Sequence, residues 1–224
     1  LSGIPAPFAP GGPLPPDAAF LQVTPPGERG QCSLGVSVDC ALAAAKHAKT
    51  VVTQVKPRMP RTSGHSLAAA DIDLAVEVDE PLPESEHEAP GPEAIAIGAH
   101  VASLIEDGST LQMGIGAIPA AVLAALTGHR DLGIHTEMIG DGILTLVESG
   151  AVTNRRKNYL PGKMVATFAL GSKKLYDWVD RNPMFEMHPV DFTNDPYLAG
   201  QNDNLIAINA TLEIDFLGQC GSES

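Results

Sequence analysis

The chain of 224 residues carries a formal net charge of −13, and it is 44% hydrophobic but only 4% aromatic. Its length suits one large domain or parts of two, and an apolar fraction made mostly of Ala, Val, Leu and Ile suits buried parallel strands and closely packed helices. The acid excess argues against nucleic acid as a partner, because phosphate binding favours a basic surface, and no run is long and apolar enough to span a membrane as a helix.

Residues 1–16 are rich in Pro and Gly and read as loop. They lack the charged start and apolar stretch of a signal peptide, and the chain does not begin with Met, so the expectation is a processed or partial chain. Residues 17–23 predict a short strand, 24–30 a turn, 36–49 a helix with Ser37 as its N-cap, and 50–55 a buried strand. The three cysteines, Cys32, Cys40 and Cys220, fall in no metal-ligand spacing. Such an odd, sparse set argues against a disulfide framework and fits a reducing compartment, the cytoplasm. Residues 56–64 form a stiff basic loop in an acidic chain, with Lys56, Arg58 and Arg61 between prolines. It is either a solvated loop or a place for anion capture. Ile72, Leu74, Val76 and Val78 recur with period two, flanked by Asp71, Asp73, Glu77 and Asp79, which predicts a half-exposed strand with its acids toward solvent.

A Pro- and Glu-rich stretch follows, and it places a linker at 85–92 between a first unit (1–84) and a second (93–224). Beyond it the spacing predicts a helix over 94–104, a strand over 110–114, and a helix over 119–126 with Pro119 in its first turn. A strand over 133–136, a helix over 143–148, a strand over 164–170 and a helix over 173–179 come next. Asn182-Pro183 stops that helix, and strands are expected at 205–208 and 214–217. Alternating strands and helices mark an α/β architecture with mostly parallel strands.

Two local features carry chemistry. Glu137 closes the apolar strand Leu132-Gly133-Ile134-His135-Thr136. At the carboxyl end of a parallel strand an acid lies where ligands gather, although an acid favoured by a helix dipole is the plainer alternative. The turn Gln112-Met113-Gly114-Ile115-Gly116 opens a helix and presents backbone N–H groups. It lacks the third glycine of a dinucleotide fingerprint and the lysine of a P-loop. A carboxylate facing such donors has the parts for covalent acyl transfer, nucleophile and oxyanion stabiliser. His135 and Glu137 share a strand face, but no third ligand stands near, so no metal is expected.

The ordered blocks Ser33-Leu34-Gly35-Val36-Ser37, Met59-Pro60-Arg61-Thr62, Leu111 through Pro119, His135-Thr136-Glu137-Met138, Pro161-Gly162-Lys163, Gly171-Ser172, Asn194-Asp195-Pro196 and Ile208-Asn209 through Gly218-Gln219 together resemble the acetyl-CoA hydrolase/transferase family, near its 4-hydroxybutyrate CoA-transferase branch. The resemblance implies two related open α/β domains, both incomplete in this chain. It implies Glu137 as nucleophile, with Gln112, Gly114, Ile115, Gly116 and His135 around the oxyanion or substrate. Arg58, Arg61, Gly218 and Gln219 are its candidate CoA contacts. The implied activity is ping-pong CoA transfer between a short-chain acyl-CoA and a small carboxylate such as acetate, butyrate or 4-hydroxybutyrate, through a glutamyl-CoA thioester. CoA is then a co-substrate, and no cofactor is needed. A homodimer is the expected assembly. The chain departs from the family pattern at Lys56, Ser63, His65, Ala120 and Gly140, which bears on substrate choice. The alternatives are an acyl-CoA hydrolase using Glu137, a binding or structural fragment without turnover, and, by fold analogy alone, a sugar-phosphate isomerase.

Overall fold

The computed structural model describes residues 2–85 and 89–222. Part of the expected linker, residues 86–88, lies outside the described residues.

The first strand, β1 (Ala18–Val23), buries every second side chain, so Ala19, Leu21 and Val23 face inward. After β2 (Gln31–Ser33) and the helix α1 (Ala41–His47), the chain returns as β3 (Thr50–Val55), parallel to β1 from Ala18↔Thr50 to Val23↔Val55. Parallel neighbours need such a crossover, and the alanine-rich α1 supplies it. Two short strands, β4 (Ser63–Gly64) and β5 (Ser66–Ala68), follow. β5 closes antiparallel on β2, and β6 (Leu74–Glu77) adds to the far side of β3.

The second part runs through α2 (Pro92–Ala102), β7 (Thr110–Met113), α3 (Ala117–Ala125), β8 (Gly133–Ile134), β9 (Met138–Ile139) and α4 (Gly142–Glu148). It continues through β10 (Met164–Ala166), β11 (Phe168–Ala169), α5 (Lys173–Val179), β12 (Phe185–Met187), α6 (Val190–Thr193), α7 (Pro196–Ala199) and β13 (Leu205–Ile208). A final antiparallel pair, β14 (Glu213–Ile214) and β15 (Cys220–Gly221), forms an exposed hairpin. The parallel order β13-β7-β8 meets β10-β12-β4 through a bridge between His135 and Val165. The strand leading to Glu137 therefore sits mid-sheet, and β4, from the first part of the chain, pairs with β12 from the second. Val23, Leu34, Val38 and Leu42 join Leu111, Ile134, Met164 and Phe185 in one apolar core. Helices α2 and α3 press together at Gly98, where an added Cβ would lie 2.7 Å from the Ala121 carbonyl carbon. The result is the mixed α/β, mostly parallel fold that the alternating pattern predicts.

Three expectations differ from what is observed. The helix expected over 36–49 begins only at Ala41, and Ser37 caps nothing. Gly35 (φ +64°) and Asp39 (φ +31°) turn the chain, and the N–H groups of Val38 and Asp39 go to the Thr167 carbonyl. A long-range partner has taken the donors a longer helix would use. The strand expected near 72–79 forms as Leu74–Glu77, and although Ile72 packs on the core, Leu74 is 59% and Val76 57% exposed. Leu74 lies in register with Val52 and Phe20, so all three share the outer face of the β1-β3-β6 sheet, where Phe20 is 79% exposed. The strand 164–170 is broken at Thr167 into β10 and β11. Among the described residues no helix is long and apolar enough to cross a membrane.

Candidate active site

Glu137 follows β8 and precedes β9, in the short gap between two parallel strands. Its backbone is fixed from one side by Thr167 and Phe168, whose N–H groups both donate to the Glu137 carbonyl, at 2.8 and 3.1 Å. Thr136 fixes it from the other. The buried Thr136 hydroxyl donates to the Met113 carbonyl at 3.1 Å and accepts the Met113 N–H at 3.0 Å. That double bond ties the end of β8 to the end of β7, where the glycine turn begins. Glu137 itself is half-buried, and its Oε2 accepts a short hydrogen bond from the Asn194 amide.

The turn 113–116 and the segment 138–143 line one small hollow of about 50 Å³, with Met113, Gly114, Gly116, Met138 and Gly140 among its walls. The structure thus brings the expected donor turn beside the segment that leaves Glu137. Within that turn the donors are not equivalent. Gly114 gives its N–H to the Ile208 carbonyl at 2.7 Å, and a Cβ there would meet Asn209 Oδ1 at 2.8 Å. Among the described residues the N–H groups of Ile115 and Gly116 donate to no backbone carbonyl, and Gly116 has φ +103°, a left-handed conformation that suits glycine. The Gln112 side chain pairs with Asn209 at 2.9 Å, across β7 and β13, rather than with Glu137.

His135 lies inside the protein. It is 1% exposed, and its Nε2 lies 2.8 Å from the Thr193 carbonyl. Burial pushes its pKa down to about 4, with the charge of Lys157 adding to the effect, so the ring is neutral near pH 7. Behind β8, Lys157 extends a buried side chain whose amine donates to the carbonyls of Ile134 at 3.0 Å and Lys163 at 2.6 Å. Burial lowers its pKa to about 7, against the pull of Glu186. Gly133 makes room for it: a Cβ there would lie 2.5 Å from Lys157 Cγ.

The remaining expected contacts lie elsewhere. Arg58 and Arg61 line a separate hollow of about 380 Å³ with Thr24, Tyr176 and Arg181, which shares no wall with the hollow beside Gly116. Arg58 pairs with Asp79 at 2.7 Å, and Arg61 donates to the Gln31 carbonyl at 3.1 Å and to the Pro25 carbonyl. Gly218 and Gln219 sit in the exposed β14–β15 hairpin, where the Gln219 N–H donates to Asp215 at 2.9 Å. Among the described residues no group of His, Cys, Asp and Glu has metal-holding geometry.

Sequence reasoning missed two residues beside Glu137. Asn194 read as a turn former, and nothing local signals a contact 57 residues away. Asp39 lies in the turn that crosses Thr167. Burial raises its pKa, and the Glu137 carboxylate raises it further, so it holds its proton more firmly than an ordinary aspartate. Its positive φ, induced by the surrounding fold, has no signature in the sequence.

Comparison with known proteins gives consistent matches. Residues 14–87 match the model of the acetyl-CoA hydrolase/transferase N-terminal domain, and residues 171–224 that of the corresponding C-terminal domain. The chain is 49% identical over 212 residues to the 4-hydroxybutyrate coenzyme A transferase of Clostridium kluyveri, covering 94% of this chain and 49% of that protein. It is 48% identical over 211 residues to the succinyl-CoA:cyclohexane-1-carboxylate CoA transferase of Geobacter metallireducens, covering 94% of this chain and 48% of that one. The crystal structure of 4-hydroxybutyrate CoA-transferase from Porphyromonas gingivalis superposes with a TM-score of 0.93 at 44% identity, over 98% of this chain and 56% of that chain. The chain spans about half the length of the relatives it matches.

Proposed function

This chain belongs to the acetyl-CoA hydrolase/transferase family, and we propose on that footing that it is the part of a CoA-transferase that carries the nucleophile, Glu137. Its substrates are a short-chain acyl-CoA and a small carboxylate: acetate, butyrate or 4-hydroxybutyrate. The observation that carries the reading is a half-buried carboxylate at a strand end, held by the Asn194 amide, while the 113–116 turn shares a hollow with the segment that follows Glu137.

In the proposed cycle a Glu137 carboxylate oxygen attacks the thioester carbonyl carbon. The tetrahedral oxyanion takes the N–H groups of the turn. The C–S bond breaks, leaving a mixed anhydride and CoA thiolate. The thiolate attacks the glutamyl carbonyl, the anhydride C–O bond breaks, the first carboxylate departs, and a glutamyl-CoA thioester remains. An acceptor carboxylate collects the CoA by the reverse steps. No proton is consumed, which suits a site whose nearest buried histidine is neutral. Arg58 is proposed as a contact for CoA phosphates, because its exposed pairing with Asp79 is exchangeable. Arg61 reinforces the same rim, and Gly218 and Gln219 are proposed to meet CoA from the C-terminal hairpin. CoA enters as a co-substrate without a separate cofactor. Three free cysteines suit the cytoplasm, and a homodimer is the proposed assembly.

The test is trapping. The whole protein is incubated with acyl-CoA, treated with borohydride or hydroxylamine, and mapped by mass spectrometry. The expected adduct is on Glu137 and is absent in Glu137→Gln, which loses turnover. An adduct on another residue refutes the mechanism. Thioester loss that proceeds equally fast without an acceptor carboxylate makes the enzyme a hydrolase.

A further inference from the structure

His135 and Glu137 are two residues apart in an extended segment, so their side chains leave the same face. They engage two consecutive residues on the facing element. The His135 ring meets the Thr193 carbonyl at 2.8 Å, and the Glu137 carboxylate meets the side chain of Asn194. We infer that His135 is a positioning residue: it anchors the Thr193–Asn194 step, and through it aims the Asn194 amide at the nucleophile. The inference rests on Glu137 as nucleophile and adds what holds its partner in place.

The chemistry of the contact is one-directional. A carbonyl oxygen only accepts, so the His135 Nε2 must carry the proton. Nδ1 then bears a lone pair, and among the described residues it has no hydrogen-bond partner. A positively charged ring would bury an unpaired N–H at that atom, and burial together with Lys157 opposes that charge. The ring therefore grips Thr193 as a neutral donor. Thr193 is itself 3% exposed and ends α6, where the Asn194 N–H still bonds to the Val190 carbonyl at 2.9 Å. The α6 turn is thus held from within by its own backbone, at its start by the Val190 N–H on the Asp39 carbonyl at 3.2 Å, and at its end by His135 on the Thr193 carbonyl. Among the described residues the Asn194 side chain bonds only to the Glu137 carboxylate, so its aim depends on where the backbone at 193 sits.

A double-mutant cycle in the whole protein tests this, with butyryl-CoA and acetate as substrates. Asn194→Ala is expected to lower kcat about 10- to 100-fold, as loss of a hydrogen bond to a charged group does. His135→Phe is expected to lower kcat about tenfold with the KM for acyl-CoA unchanged. Added to Asn194→Ala, it should cost less than about threefold more, because residues acting through one contact are not additive. His135→Gln, which can return an N–H toward Thr193, should regain activity to within about threefold of the parent. If His135→Phe does not fold, His135→Asn, whose amide is too short to reach Thr193, takes its place in the cycle. Multiplicative losses, or a raised KM with unchanged kcat, overturn the inference. Glu137→Gln run in parallel separates the two readings. A dead Glu137→Gln with an additive cycle removes the role of His135 alone, whereas an active Glu137→Gln removes the nucleophile.

Discussion

Replacing Lys157 by methionine should destabilise the protein by an amount that depends on pH. The side chain is 4% exposed, and its amine satisfies the carbonyls of Ile134 and Lys163. Methionine fills a similar volume but donates nothing. Two buried acceptors lose a partner, at about 1–3 kcal/mol each, so a loss of roughly 2–6 kcal/mol is expected at pH 9. The sign of the pH effect follows from the depressed pKa. The folded lysine titrates at about 7, against an ordinary value of 10.5. Between those values the unfolded chain binds a proton that the folded one does not, so stability rises with pH at up to about 1.4 kcal/mol per unit. Lowering the pH from 9 to 7 therefore removes about 2 kcal/mol from the parent and nothing comparable from the variant. Urea unfolding of both proteins at pH 7, 8 and 9 measures this, because all other titrations cancel in the difference. A gap that stays constant across the range would mean that the buried amine is charged throughout, and the account of Lys157 would fall.

Two further outcomes follow from the same geometry. His135 titrates at about 4 in the fold against an ordinary 6.5, so its contribution is present above 6.5 and lost on acidification through 4. The stability difference between the parent and His135→Gln should shrink by about 2–3 kcal/mol across that window, and a pH-independent difference in thermal unfolding would contradict it. Gly98→Ala puts a methyl group 2.9 Å from the Ala121 Cβ and carbonyl oxygen. The helix preference for alanine returns about 1 kcal/mol, whereas overpacking costs about 1–3 kcal/mol, so a net loss of about 1 kcal/mol is expected. A variant that melts higher than the parent would show that α2 and α3 can separate freely.

Where local pattern decided the outcome, the sequence was a good guide. Residues 50–55 and 205–208 form strands over the whole expected span, and 173–179 a helix, because their apolar runs and helical spacing already match the burial that the sheets and core supply. The acid at the end of a buried strand, Glu137, also stands out from composition alone. What was illegible depends on contacts between distant segments. Val38 and Asp39 give their N–H groups to Thr167, which shortens α1, and no local rule foretells it. Leu74 and Val76 alternate as an inward face would, yet their face is open, because alternation says that two faces differ without saying which is covered. Asn194 looks like any turn asparagine until α6 carries it to Glu137. Lys157 was invisible for the opposite reason: lysine is the residue least expected inside a core.

The seam between β4 and β12 bears on how the molecule can be made. Ser63 and Gly64 find their strand partners only at Glu186 and Met187, and the nearby bond from the Arg61 N–H to Asp180 spans 119 residues. At roughly 5–20 residues per second, a ribosome needs on the order of ten seconds to deliver that partner. During that delay the nascent chain carries an unzipped strand edge, and closing so wide a loop is slow by its nature. The β4–β12 seam can therefore close only after the late strand has been delivered.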